Sequence, residues 1–557
     1  MQIRETILTR MNQYYHSIHI NDFSSFIKSD FRDDTLFDLS EERAQRNALE
    51  SRALLEEISS WRRLNDLSWE EEIELDIVED FCHYILRNSE YFWYKFNLTH
   101  NTTPLPYVVK RLETFPLKQK KDLDFYMTLL EQFPEKLAGM VEKLRGQEER
   151  GILLPAEQLD ICLHLIESLF QGEESLLKPW QRSGVELELS ESEKARINAA
   201  VEAMNNSLAC ILHYLKEEYN KEGNPAIPGL CHIPGGIDYY RQQITTYTSY
   251  ALDPAELHAI GLRELENTRG KMLAIIRQLG YEMDLKEFEQ MLQKKRICFD
   301  DTPEQLQQRF DNVQAKIEPK LPNFFLHSPQ AGCRCQRLPA AKEKTTSWGY
   351  YSVPIGEEKD GVFWYSAAEL ESRSQIRTAA IVAHELLPGH HFQTNLLSED
   401  KSLPEISQQH FNTAYADGWA EYSADLVGEM GVYDLYDLYG RYVWDMVLCC
   451  RLVVDTGLNA MGWDIEKARA FMKENTILTD SEIFTETLRY SVDMPAQALA
   501  YKFGSLKMHE LRRKAEGALG DRFDIRSYHD EVLRYGSAPL NVLEKIVDHY
   551  IATNQNP

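Results

Sequence analysis

The chain has no surplus of positive charge, no long apolar run and no dense cysteine framework, and each absence removes a class of function. Its 61 Lys and Arg stand against 88 Asp and Glu, a formal charge of -27. Nucleic acid binding needs a concentrated basic face, so no nucleic-acid partner is expected. Nowhere do about 18 apolar residues follow one another, the minimum for a membrane-spanning helix, and the opening "MQIRETILTRMNQYYHSIHI" has no apolar core of a signal peptide. The expectation is a soluble cytoplasmic protein with no membrane partner. Nine cysteines are scattered over 557 residues. The pairs Cys333/Cys335 and Cys449/Cys450 lack the CxxC knuckles of a structural zinc site, so all are read as ordinary reduced thiols. Fixed-period repeats and low-complexity tails are also missing. Nothing here sets the oligomeric state.

What is present is helical periodicity. "SEERAQRNALESRALLEEISSWRRL" starts with a Ser-x-x-Arg cap and repeats apolar residues near the 3.6 period, and "SWEEEIELDIVEDFCHYIL" and "DFYMTLLEQFPEKLAGMVEKLRGQ" continue it. Long antiparallel helices are expected over 1–220. Pro and Gly gather in "NKEGNPAIPGLCHIPGG" (220–236), where helix should stop. This divides an N-terminal helical subdomain, 1–220, from a second, 221–557, unless the two form one continuous domain. A further helical block over about 253–320 opens with Asp253 as cap and Pro254 at the first helical position. The period then changes: "TSWGYYSVPI" and "GVFWYSAAEL", separated by "GEEKDG", read as a β-hairpin. Helix returns after Ser372. The fold class is therefore mainly α, with a small hairpin or sheet beside the segment that follows.

That segment is "AAIVAHELLPGHHFQ", 379–393. HExxH motifs bind zinc because histidines four apart share a helix face while the intervening Glu points at water. Here Pro388 occupies the expected position, and the next histidines are His390 and His391. In an unbroken helix His390 would be turned about 240° away from His384 and about 9 Å along the axis. Pro388, however, cannot donate to the carbonyl of His384 and breaks the helix, and Gly389 permits the kink. "LLPG" then acts as a bulge that returns His390 towards His384, with His391 behind the site or facing substrate. His391 itself is the alternate ligand. A third ligand is sought on the helix expected at 411–430, "FNTAYADGWAEYSADLVGEM". Asp417 and Glu421 lie four apart on one face, so either could coordinate while the other orients a histidine.

Together, "HELLPGHHFQ" and "ADGWAEY" resemble the pair HExxPGHHxQ and EGWAxY that marks a bacterial family catalogued as domain of unknown function 885. "RLVVDTGLNAMGW", "RYSVDMPAQALAYKFG" and "FDIRSYHDEVLRYGSAPLNVLE" resemble the family's later blocks. The resemblance implies a multi-helix, gluzincin-like metallopeptidase fold with a deep cleft, similar to Taq-type carboxypeptidases and thimet oligopeptidases. It implies one zinc ion on His384, His390 and Asp417, with Glu421 the alternate third ligand. Asp417 replaces the family's usual Glu, and Asn459 its usual His. Glu385 would be the general base acting on water. Tyr490, Tyr501 and His529 are the expected hydrogen-bond donors to the oxyanion. Arg489, Lys502 and Arg534 would grip a substrate carboxylate, and the strand of Tyr350 and Tyr351 would pair with an extended peptide. The expected function is a zinc metallopeptidase of short peptides. Its alternatives are a metal hydrolase of another amide or ester, and an inactive peptide-binding homologue, against which the retained Glu385 argues.

Overall fold

The computed structural model describes residues 2–19, 36–63, 67–219, 223, 229–343, 348–354, 358–409 and 411–555. Helix makes up 70% of the chain and strand 3%, so the mainly α expectation holds.

Helix starts follow the capping residues. The Ser40 side chain accepts from Arg43 N at 3.2 Å, at the head of helix Glu41–Arg63. Ser68 and Glu71 form a reciprocal capping box before Trp69–Glu90. Asp253 accepts from Ala255 N at 2.8 Å, with Pro254 opening helix Pro254–Gln278. The run read as a single helix around Pro134 is two, Lys120–Glu131 and Phe133–Glu148. Pro134 sits in the first turn of the second, where its missing N–H leaves no bond unmade. In the Pro/Gly-rich stretch, 220–222 and 224–228 lie outside the described residues; beyond them come a 3-10 turn, Leu230–His232, and a helix from Gly236.

The expected hairpin is present as β2 (Gly349–Ser352) against β3 (Gly361–Tyr365), antiparallel with Tyr351 opposite Phe363. Its connecting turn falls partly outside the described residues. A further strand, β1 (Cys333–Arg337), pairs with β3 in parallel, giving the order β1-β3-β2 and leaving β2 at an edge. "CRCQR" carries no β-branched or aromatic residue, so its strand character comes from the tertiary partner rather than propensity.

Two large cores organise the helices. One runs from Leu36 to Leu257 and takes in Leu452, Val492, Ala496 and Leu499 from far along the chain. The other surrounds the short helix Thr378–Glu385 through Val382, Ala383, Leu386 and Trp419. Helix Pro254–Gln278 lies along Leu435–Asn459, and Thr413–Glu429 lies along Leu499–Leu519. In the second pair the backbones touch: a Cβ on Gly418 would stand 2.7 Å from Gly504 Cα. The glycine of "ADGWA" thus lets the helix bearing Asp417 and Glu421 sink against its neighbour. All nine cysteines are free thiols. No described helix is long and apolar enough to cross a membrane.

Candidate metal centre

The histidine helix, Thr378–Glu385, stops at Leu386, and the next helix begins at His390. Between them Pro388 is anchored through its carbonyl, which accepts from Trp419 Nε1 at 2.9 Å and Ser423 Oγ at 3.3 Å. Gly389 has an ordinary φ of -76°. Its need is steric: a Cβ there would fall 1.8 Å from the His384 carbonyl oxygen. This tight reversal sets the His384 and His390 rings 4.8 Å apart, nearly perpendicular.

Asp417 meets them from helix Thr413–Glu429, and ligand atoms of His384, His390 and Asp417 all lie within 4.8 Å of one another. His390 Nε2 and Asp417 Oδ1 are 3.4 Å apart. A tetrahedral zinc with bonds of about 2.1 Å sets this same separation between its ligands, so the His390–Asp417 pair has the ion's spacing, and two imidazoles with a carboxylate have its chemistry.

Glu421 takes the orienting role. Fully buried, it lies 3.0 Å from His384 Nδ1, and accepts from Trp444 Nε1 at 2.9 Å. Its other oxygen is 2.8 Å from Arg441, which also binds Asp425 at 2.8 Å; Asp425 in turn lies 2.9 Å from His509. Burial pushes the Glu421 carboxyl up, but Arg441 and then His384 outweigh it and bring it to about 2. Burial opposes charge on His384 too, yet Glu421 raises it to about 9. With Nδ1 facing Glu421, Nε2 is the nitrogen left for a metal. Asp425, Arg441 and Trp444 were not foreseen. The signal for Asp425 was its spacing, four residues beyond Glu421; for Arg441 and Trp444, on another helix, there was none.

His391 points away from this trio. Its Nε2–H donates to the Ala331 carbonyl at 3.1 Å, and Nδ1 accepts from the Tyr351 hydroxyl at 2.9 Å. Both nitrogens are engaged, and burial lowers its pKa. His391 therefore ties the helix to the sheet and is not the alternate ligand. Tyr351 is fixed by the same bond, whereas Tyr350 is 43% exposed on the edge strand.

The expected donors separate. Tyr501 lies close enough to Asp417 for that charge, after burial, to raise its pKa, and its hydroxyl has only Gln497 Nε2 at 3.3 Å. Tyr490 is buried, its hydroxyl bonded to Glu486 and Arg451. His529 is also fully buried: Nδ1–H donates to the Phe324 carbonyl at 2.9 Å and Nε2 accepts from the Tyr422 hydroxyl at 2.7 Å. Neither of these two can present a proton to substrate, because each is already committed inside the protein. Nor do two expected carboxylate-binding cations hold up. Lys502 forms a buried pair with Asp445 at 2.7 Å, and half-exposed Arg534 sits near Glu70 and Glu531 on the surface. Arg489 differs: its Nε and Nη2 have no hydrogen bond, and Glu486 lies 3.6 Å from Nη2. Asn459 joins three segments, bonding the Tyr490 carbonyl, the Asp455 carbonyl and Leu230 N.

A cavity of about 180 Å³ opens beside the trio, lined by His384, Glu385, Glu421, Arg377, Trp348 and Trp444 among others. The Glu385 side chain forms no hydrogen bond or ion pair with any described residue. The family model described as "Bacterial protein of unknown function (DUF885)" matches residues 24–547. The chain belongs to DUF885. Among curated proteins none matches it. Two solved structures share the fold of this DUF885 member. One, titled "The crystal structure of the putative lipoprotein from Colwellia psychrerythraea", has a TM-score of 0.87 at 22% identity, covering 98% of this chain and 99% of the other. The second, a "putative lipoprotein of unknown function from Shewanella oneidensis", has a TM-score of 0.69 at 17% identity, covering 97% and 96%.

Proposed function

We propose that this DUF885 member is a zinc-dependent metallopeptidase acting on short peptides, gluzincin-like in its site. The observation that supports it is the convergence of His384, His390 and Asp417 beside Glu385, a carboxylate left without a partner at the cavity. A pure binding protein has no use for such a base.

An ion held by these three residues would supply Lewis acidity and lower the pKa of water. The chain's own residues carry the remaining steps. Glu385 removes a proton from the attacking water as the water oxygen bonds to the scissile carbonyl carbon. It then returns that proton to the amine nitrogen as the C–N bond breaks. Tyr501, kept in its neutral donor form and within the field of Asp417, is the donor to the developing oxyanion in this reading. Glu421 holds the His384 ring in position, and the free edge of β2 offers main-chain hydrogen bonds to an extended peptide.

The test is metal content by elemental mass spectrometry, followed by peptide hydrolysis. About one zinc per chain is expected, lost in His390→Ala and Asp417→Ala. Glu385→Gln should keep the metal and lose roughly 10²- to 10⁴-fold in turnover. A wild-type protein that takes up no metal, even after incubation with zinc, would end this reading.

A further inference from the structure

Arg377 immediately precedes the histidine helix, seven residues before His384 and so on nearly the same helical face, about 10 Å along the axis. It is 8% exposed and lines the cavity that His384 and Glu385 also line. Its guanidinium lies between two indoles, 4.7 Å from the Trp348 ring and 4.1 Å from that of Trp444. No described carboxylate pairs with it, and its Nε has no hydrogen bond. Arg451, 5.0 Å from the same Trp444 ring, is different: Glu486 neutralises it through two bonds of 2.9 and 3.1 Å.

A buried guanidinium without a partner is costly, and the tryptophans offset only part of that cost. Burial lowers its pKa to about 10, which leaves it charged at neutral pH. In a chain of net charge -27 with 88 acidic residues, it is informative that Glu482 and Glu421 act on this guanidinium only from beyond ion-pair distance and that no described carboxylate pairs with it. The fork-shaped donor set of arginine matches a carboxylate.

We infer that Arg377 is the anchor for the free C-terminal carboxylate of a peptide substrate, making the cavity the subsite for the C-terminal residues released. The peptide part of this rests on the metallopeptidase reading; the carboxylate site does not. Trp348 and Trp444 set the plane of the guanidinium, and Ile381, between Arg377 and Glu385 on the cavity wall, contacts the terminal side chains. Arg377 is then a specificity residue: it selects peptides with a free terminus and excludes internal cleavage.

The experiment compares a short N-acetylated peptide with its C-terminal amide in two assays. In the first, the zinc-loaded wild type and Arg377→Gln are assayed for hydrolysis, with products identified by mass. The free acid should be preferred by about tenfold or more in kcat/KM, through KM, with the products cut from the C-terminal end. Arg377→Gln should abolish the preference, and Arg377→Lys should restore part of it. Because the acid and the amide are compared within one protein, a merely unstable variant would lower both rates and leave the preference intact, which counts against the inference. In the second assay, calorimetry on Glu385→Gln measures binding of the same pair without turnover. Acid and amide handled alike in both assays would overturn the proposal while leaving a metallopeptidase. Tighter acid binding that Arg377→Gln removes, with no hydrolysis by the wild type, would support the carboxylate site and remove the peptidase reading.

Discussion

Glu421 shows how a single carboxylate organises the centre. It contacts His384, Trp444 and Arg441 while having no exposed surface of its own. Groups in this position typically govern metal affinity by ten- to a hundredfold, because they fix the ring and its tautomer. Glu421→Gln is therefore expected to weaken zinc binding by about that factor, measured by competition with a chelator, while Asp417 and His390 stay in place. An affinity equal to that of the wild type would show that Glu421 is only a counterion for Arg441. At this scale the sequence was informative for His384, His390 and Asp417, since a proline, a glycine and a four-residue spacing each imply a geometry. It was misleading for His529, Tyr490 and Lys502. Residue type and shared motif say that a group can donate a proton or hold a charge. Only packing reveals that Phe324, Glu486 or Asp445 already occupies it.

The elements meet at glycines where two backbones must share one space. Gly418 on the acidic helix and Gly504 on Leu499–Leu519 face each other, and a Cβ on Gly504 would fall 2.1 Å from the Ala414 carbonyl oxygen. Backbone cannot yield as a side-chain tip does, so Gly418→Ala should force the helices apart. A loss of about 1 to 3 kcal/mol in unfolding free energy is expected, read as a lower urea midpoint, together with weaker zinc binding as Asp417 retreats. An unchanged midpoint would mean the crossing is looser than this geometry implies. Most helices were legible because capping residues and periodicity are local signals, as at Ser68 and Asp253. β1 was not, because its partner β3 comes 24 residues later and Cys333–Arg337 has no intrinsic strand preference. The Gly418 contact was equally hidden, since a glycine inside a helical pattern does not name what approaches it.

For the molecule as a whole, stability should depend on acid in a way that His529 makes specific. Burial, the dominant influence, lowers its pKa from 6.5 to about 3, against the bond to Phe324 that favours the charged form. Between those values the unfolded chain binds the extra proton and the folded one does not. The contribution is complete above about pH 6.5 and is lost as pH falls towards 3, by up to about 1.4 kcal/mol per pH unit. Urea midpoints from pH 7 to 5 should accordingly fall more steeply in the wild type than in His529→Gln. Parallel lines would show that the ring accepts its proton without cost.

The long-range bonds also have a consequence for how the chain is made. Thr99 and Asn101 bond to Asp493, and Gln158 Nε2 donates to the Leu488 carbonyl at 2.9 Å, across separations of 394, 392 and 330 residues. Leu452, Val492 and Leu499 complete the same early core. Translation at about 5 to 20 residues per second leaves roughly 20 to 80 s between the two sides of the Thr99 contact. For that time the early core lacks the cover that Leu452, Val492, Ala496 and Leu499 supply. The early core is thus completed only when the last hundred residues arrive, and its folding is closed from the C-terminal side.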